Sequence, residues 1–137
     1  MKNSPVTSLW VRVALDVPLP GPFDYRAAPP VAVGLRVIVP FGRRRLIGVV
    51  VDLPATPAVD ASLVRDVEQV LHDIPPLPAD WLRLAAFAAD YYQRPMGEVM
   101  LPALPGPLRK PSAYLGKRAA GGPVARADAR AERAAPA

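Results

Sequence analysis

Apolar and polar side chains alternate along residues 9–16. One side of this stretch carries Leu9, Val11, Val13 and Leu15, and the other carries Trp10, Arg12, Ala14 and Asp16. Because successive side chains of a strand point to opposite faces, this period of two predicts a β-strand with one buried face.

Four more strands are predicted further along the chain. Residues 23–26 and 36–39 give two short ones, and the second ends at Pro40 because proline has no N–H for a sheet. Residues 46–53 are almost continuously apolar, which predicts a strand covered on both faces. Residues 64–71 predict a fifth strand, although neither of its faces is wholly apolar.

The apolar period changes to that of a helix after Pro78, and Pro95 ends the run. The face predicted to pack in the core comprises Trp81, Leu84, Ala85, Ala88 and Tyr92. A second, short helix is predicted over residues 96–101. Strands followed by helices predict an α+β fold over residues 1–105, a small twisted antiparallel β-barrel or sheet of about five to six strands capped by one C-terminal helix and a short second helix.

The net charge of +5 is concentrated at the end of the chain. Residues 1–105 contain ten basic and ten acidic side chains, whereas residues 106–137 contain seven basic and two acidic ones. Residues 106–137 are also rich in Ala, Arg, Gly and Pro, which predicts a basic linker or disordered tail. A basic binding site in the first 105 residues must therefore be local.

Composition argues against catalysis. The chain has no cysteine and one histidine, so we expect no metal site and no cofactor. Gly116 and Lys117 lack the framing of a phosphate-binding loop, and no serine lies in a nucleophile elbow for His72 to activate. The apolar run near the N-terminus is interrupted by Arg12 and Asp16, so we expect no signal peptide or membrane span and a cytoplasmic location.

A proline-rich turn at residues 18–22 precedes the second predicted strand. Its three prolines fix the backbone, and Gly21 supplies the one permissive position. If the following residues are extended, Phe23 and Tyr25 share one face and Asp24 points from the other. Asp24 is then either a turn-capping residue or an acceptor presented to a ligand.

Three adjacent arginines, Arg43, Arg44 and Arg45, follow Gly42 at the predicted tip of a hairpin. They are either a solvated tip whose charge deters aggregation or a set of phosphate contacts. Backbone N–H groups near a glycine can also approach an anion or a hydroxyl group closely.

Five blocks of the sequence, in order, resemble the primosomal protein N′ family of bacterial replication-restart helicases. They lie within residues 13–20, 22–25, 36–43, 47–51 and 88–105. The resemblance covers the N-terminal part of that family, a domain that binds the 3′ end of the nascent leading strand at a stalled fork. The helicase motor and zinc-binding insertion, which the family carries further on, are not among the matching blocks.

The resemblance implies a 3′-end pocket made of Phe23, Asp24, Tyr25, Gly42 and Arg65, the last at a position where the family usually has lysine. It implies DNA with a 3′-OH end as the partner of a monomeric domain. Other primosome and single-strand-binding proteins would be partners through the full-length protein.

An acidic residue in a DNA site has a chemical rationale. A carboxylate repels phosphate but accepts hydrogen bonds from bases, and each of the four bases has at least one N–H on its pairing edge. Asp24 would thus detect an unpaired terminal base without selecting which base it is. Phe23 and Tyr25 either flank that base or belong to the core, and the alternative function is a protein-interaction module of the replication machinery.

Overall fold

The computed structural model describes residues 8–114, which form one six-stranded sheet and two α-helices. The strands are β1 (Leu9–Ala14), β2 (Phe23–Ala27), β3 (Arg36–Phe41), β4 (Arg44–Asp52), β5 (Arg65–Asp66) and β6 (Gln69–Leu71). The helices are α1 (Ala79–Tyr92) and α2 (Met96–Met100), with short 3-10 helices at Ala61–Leu63, Leu101–Ala103, Gly106–Arg109 and Pro111–Ala113. The predicted α+β class is confirmed.

The sheet curls until its two edges approach each other. Its strand order is β5-β2-β1-β4-β3-β6, so the two strands at opposite edges are separated by only two residues in the sequence. Those two residues bond to different strands: the N–H of Val67 donates to the carbonyl of Arg26 at 2.8 Å, and the N–H of Glu68 donates to that of Ile38 at 2.7 Å. The chain between β5 and β6 thus joins the edges of a curled half-barrel.

The single strand predicted at residues 64–71 is wrong in detail. The chain changes its pairing partner at Val67, so the stretch forms two short strands and no one face stays buried along it. β5 also pairs with β2 in parallel, whereas the other four strand pairs are antiparallel. The sheet is thus antiparallel as predicted except for this one short pair at its edge.

Two hydrophobic clusters lie on the two faces of the sheet. The interior of the half-barrel contains Val11, Val13, Leu15, Val17, Tyr25, Ala27, Val37, Val39 and Val50. The outer layer, which includes residues of both helices, contains Ala14, Ile38, Ile47, Val49, Leu71, Ala85, Met100, Leu101 and Leu104. Neighbouring residues Val49 and Val50 fall in different clusters and are both fully buried, which confirms that β4 is covered on both faces.

The predicted core face of α1 is right in part: Trp81 and Ala85 pack into the outer cluster, whereas Leu84 and Tyr92 do not. Ala85 and Ala89 are the buried residues of the helix, while Leu84 and Tyr92 are exposed. Almost every position of this helix is apolar, so the pattern alone does not select a face. The side that carries alanine packs inward, because these small side chains let the helix lie close to its neighbours.

Close packing also fixes α2 against the end of β1. A Cβ atom added to Gly97 would collide with the backbone carbonyl of Leu15. The adjoining proline turn lies beside the same helix, since Leu19 and Pro22 line a small cavity with Pro95 and Met96. Glycine is needed here for space rather than for an unusual backbone angle.

Arg36 connects the sheet to the residues that follow position 105. Its guanidinium is buried, ion-paired with Asp73, and donates to the carbonyl of Leu108 at 2.6 Å and to the hydroxyl of Tyr114 at 2.9 Å. That hydroxyl donates in turn to Asp73 at 2.8 Å, and burial raises the pKa of Tyr114. Residues 106–114 therefore contact the barrel, and the domain boundary at residue 105 stays a prediction.

Within residues 8–114, no helix is long and apolar enough to cross a membrane. The same residues contain no group of three or more His, Cys, Asp or Glu side chains that could hold a metal ion. Residues 115–137 of the predicted linker or tail lie outside the described residues.

Gly97→Ala is expected to lower the free energy of unfolding by about 1–3 kcal/mol, because the added methyl group must push α2 away from β1. Chemical denaturation monitored by circular dichroism measures this change. Gly106→Ala is the matched control, since a Cβ atom there meets nothing within 4 Å. Equal stability of the two variants would contradict the packing described for α2.

Candidate functional site

The chain enters β2 directly from the proline turn, in which the Gly21–Pro22 peptide bond is cis. β2 pairs with β1 so that Phe23 lies opposite Val13 and Asp24 lies opposite Arg12. Phe23 packs against the interior cluster, whereas the Asp24 carboxylate contacts Arg12 on the outer face. The side chains thus alternate as the sequence predicts.

Tyr25 is a core residue with a polar anchor. It is 5% exposed, and its hydroxyl donates to the backbone carbonyl of Pro40 at 2.7 Å. Burial raises the pKa of this hydroxyl, and the nearby positive charge of Arg65 partly offsets the effect. Of the two alternatives for Tyr25, packing in the core is the one observed, and the neutral phenol ties β2 to the end of β3.

Phe23 makes a second contact between β2 and the same hairpin. Its ring meets that of Phe41 edge to face, with 5.4 Å between the ring centroids. Phe41 is the last residue of β3, immediately before Gly42. The two aromatic residues of the Phe-Asp-Tyr motif therefore support the Pro-Phe-Gly turn from inside the barrel.

The hairpin loop itself consists of Gly42 and Arg43, because Phe41 pairs with Arg44. Gly42 has a φ of 62°, as the first position of a two-residue hairpin loop often requires. The prediction that β3 ends at Pro40 is wrong, since Pro40 pairs with Arg45. Proline is tolerated there because β6 pairs only with residues 36–38, so no partner requires a proline N–H.

The three arginines do not form one patch. Arg43 lies in the loop, while Arg44 and Arg45 are consecutive residues of β4 and so direct their side chains to opposite faces. The Nε atom of Arg45 is 2.6 Å from a carboxylate oxygen of Glu68. All three side chains are exposed, but the turn predicted to carry them holds only the first.

Arg65 lies in β5 and pairs with Tyr25 in the parallel register. Arg26 holds this short strand in place, because its guanidinium donates to the carbonyl of Val64 at 3.0 Å and pairs with Asp66 at 3.1 Å. The structure thus brings Tyr25 and Arg65 together where β2 meets β5.

The Asp24 carboxylate lies on the other face of β2 and is held from two sides. One oxygen is 3.4 Å from the Nε of Arg12, and the other accepts the N–H of Ala58 at 2.8 Å. A second carboxylate, that of Asp52 on β4, is 3.3 Å from Arg12. As a result the Asp24 side chain is only 6% exposed.

Arg12 and Ala58 are the contacts that sequence reasoning did not assign to the site. The alternation of residues 9–16 placed Arg12 on the polar face of β1, but only the register of β1 against β2 shows that it meets Asp24. Ala58 contributes a backbone N–H, for which the sequence holds no signal.

An open groove of about 490 Å³ lies between residues 30–35 and 72–76, and none of the predicted site residues lines it.

Comparison with known proteins identifies the family of this chain. The family described as 3'DNA-binding domain (3'BD) matches residues 12–105, which is more than half of the chain. The chain is also 41% identical over 104 residues to the Replication restart protein PriA of Haemophilus influenzae. That alignment covers 72% of this chain but only 14% of the relative, so the chain spans a small part of that protein's length.

The matched residues 12–105 include the Phe-Asp-Tyr motif, Gly42 and Arg65. They also include every strand from β2 to β6 and both helices. The chain therefore belongs to the 3′ DNA-binding domain family of the replication restart protein PriA.

Proposed function

We propose that this domain binds the 3′-OH end of the nascent leading strand at a stalled replication fork, without preference for the terminal base. The observation that carries the proposal is the Asp24 carboxylate, which is fixed on the outer face of the sheet by contacts to both of its oxygens. The family match and the replication-restart relative supply the biological setting.

A fixed carboxylate suits the edge of a base better than any other part of DNA. It repels phosphate and accepts N–H donors, which every unpaired base offers. Asp24 would therefore bind the terminal base only when it is unpaired, and would bind all four bases alike.

The remaining site residues would hold the backbone of the strand. Arg43, Arg44, Arg45 and Arg65 are exposed and would contact phosphates, with Arg45 also paired with Glu68. The backbone at Gly42 would approach the terminal sugar, because no side chain covers it. Phe23 and Tyr25 act from inside the barrel by supporting the two strands that carry these groups.

We further propose that the domain is monomeric and acts in the cytoplasm at the nucleoid. Contacts with other primosome and single-strand-binding proteins would be made through the full-length protein.

A second candidate function, protein interaction, is supported by one feature of α1. Its solvent side carries Leu84, Phe87, Tyr91 and Tyr92, each between 65% and 69% exposed. The nearby Arg83 and Arg94 are paired with Asp80 and Glu98, so this aromatic stripe has little charge to offer phosphates. These exposed apolar side chains match the chemistry of an apolar surface on a partner protein.

End recognition predicts a preference for a free 3′-hydroxyl group. A fork whose leading-strand arm ends in 3′-OH should bind at least about tenfold more tightly than the same fork ending in 3′-phosphate, because the added negative charge is repelled by the Asp24 carboxylate nearby. Fluorescence anisotropy with labelled forks measures both affinities. Equal affinities would contradict the proposed function.

Asp24→Ala should weaken binding to the 3′-OH fork by about tenfold to a hundredfold, the size expected for hydrogen bonds to a charged group, and should leave binding to blunt duplex almost unchanged. Asp90→Asn is the matched control, since it removes an exposed carboxylate from α1. If Asp24→Ala reduces both affinities equally, the residue has a structural role only.

The double variant Phe87→Ser, Tyr91→Ser tests whether the exposed aromatic residues of α1 take part in DNA binding. Both side chains are exposed, so the variant should fold and bind the 3′-OH fork as the unmodified chain does. Loss of end-selective binding in the same anisotropy assay would show that the DNA site lies at the exposed aromatic residues of α1 and not at Asp24.

A further inference from the structure

The two partners of the Asp24 carboxylate differ in kind. Arg12 lies within β1, which is paired with β2 on one side and β4 on the other. Ala58 lies in the segment from 54 to 59, which belongs to neither the sheet nor a helix and follows the end of β4. One oxygen of the carboxylate thus contacts the rigid sheet, and the other contacts a loop.

We propose that Arg12 is a positioning residue for Asp24, and that the second carboxylate oxygen passes from the Ala58 N–H in the free protein to an N–H of the terminal base in the complex. This inference rests on the proposed function, because it concerns how the same carboxylate becomes available to DNA.

Burial makes an exchange of partners necessary. The Asp24 side chain is 6% exposed, so a base cannot reach the carboxylate while residues 54–59 stay in place. The Ala58 N–H and a base N–H are equivalent donors to a carboxylate oxygen, and replacing one by the other keeps the number of hydrogen bonds constant. The loop therefore excludes water from the acceptor in the free protein without making the site unreachable.

Arg12 makes the contact to Asp24 that is kept in both the free protein and the complex. Its guanidinium has donors on two sides, and these contact Asp24 at 3.4 Å and Asp52 at 3.3 Å. A planar group held at both ends by neighbouring strands keeps a fixed direction. When the loop leaves, the contact to Arg12 prevents the carboxylate from rotating away from the incoming base.

Amide hydrogen exchange tests the change of partner directly on the unmodified chain. The Ala58 amide should be protected in the free protein and should exchange about tenfold faster or more when the chain is saturated with a short 3′-OH oligonucleotide. Most amides near a ligand become slower on binding, so this direction is diagnostic. An Ala58 amide that keeps or increases its protection in the complex would overturn the exchange.

Substitutions at Arg12 test its positioning role. Arg12→Ala should reduce the ratio of 3′-OH to 3′-phosphate affinity by about tenfold, and Arg12→Lys should restore part of that ratio because it returns a donor to the carboxylate. Asp90→Asn is the control, since it removes an exposed carboxylate from α1, outside the Arg12 contacts, and should change the ratio by no more than about twofold.

A direct phosphate contact by Arg12 would give a different result. Binding to both forks would then fall equally, and the slope of log affinity against log salt would drop by about one. That outcome, or an unchanged ratio in Arg12→Ala with the fold intact by circular dichroism, would overturn the positioning role. If the unmodified chain shows no 3′-OH preference at all, the proposed function fails instead, so the two failures are distinguishable.

Discussion

The structure depends on two consecutive backbone N–H groups that bond to β2 and β3, the strands next to the two edges of one sheet. Val67 bonds to β2 and Glu68 bonds to β3, and this pair of contacts closes a sheet that would otherwise leave both edges open. Closure places Arg65 beside Tyr25 and Glu68 beside Arg45. The hydroxyl of Tyr25 then reaches Pro40 across the interior, so the β2 strand and the β3–β4 hairpin become one unit.

The closed sheet gives β2 two different surfaces. Phe23 and Tyr25 face the interior and determine where the Gly42 hairpin lies. Asp24 faces outward, where Arg12 and the Ala58 amide hold its carboxylate. A single three-residue motif thus supports a turn with two of its side chains and presents an acceptor with the third, which links the packing of the barrel to the proposed recognition of a strand end.

The sequence predicted the parts of this arrangement that depend on local pattern. Alternation identified β1 and the opposite orientations of Phe23 and Asp24, and the apolar run at residues 46–53 identified β4 as buried on both faces. The pattern could not show that residues 65–71 change partners, because the change depends on how far the whole sheet curls. It could not orient α1 either, since that helix is apolar on nearly all sides. The contacts of Asp24 were also out of reach, because they depend on strand register and on a backbone N–H from a distant loop.

If the Asp24 carboxylate binds the terminal base of a 3′-OH strand, a crystal structure of this chain with a short oligonucleotide that ends in 3′-OH should show it directly. A nitrogen atom of the terminal base should lie within hydrogen-bond distance of the Asp24 oxygen that accepts the Ala58 N–H in the free protein, with the contact to Arg12 retained. A terminal base bound elsewhere on the domain, with the Ala58 amide still on Asp24, would contradict it.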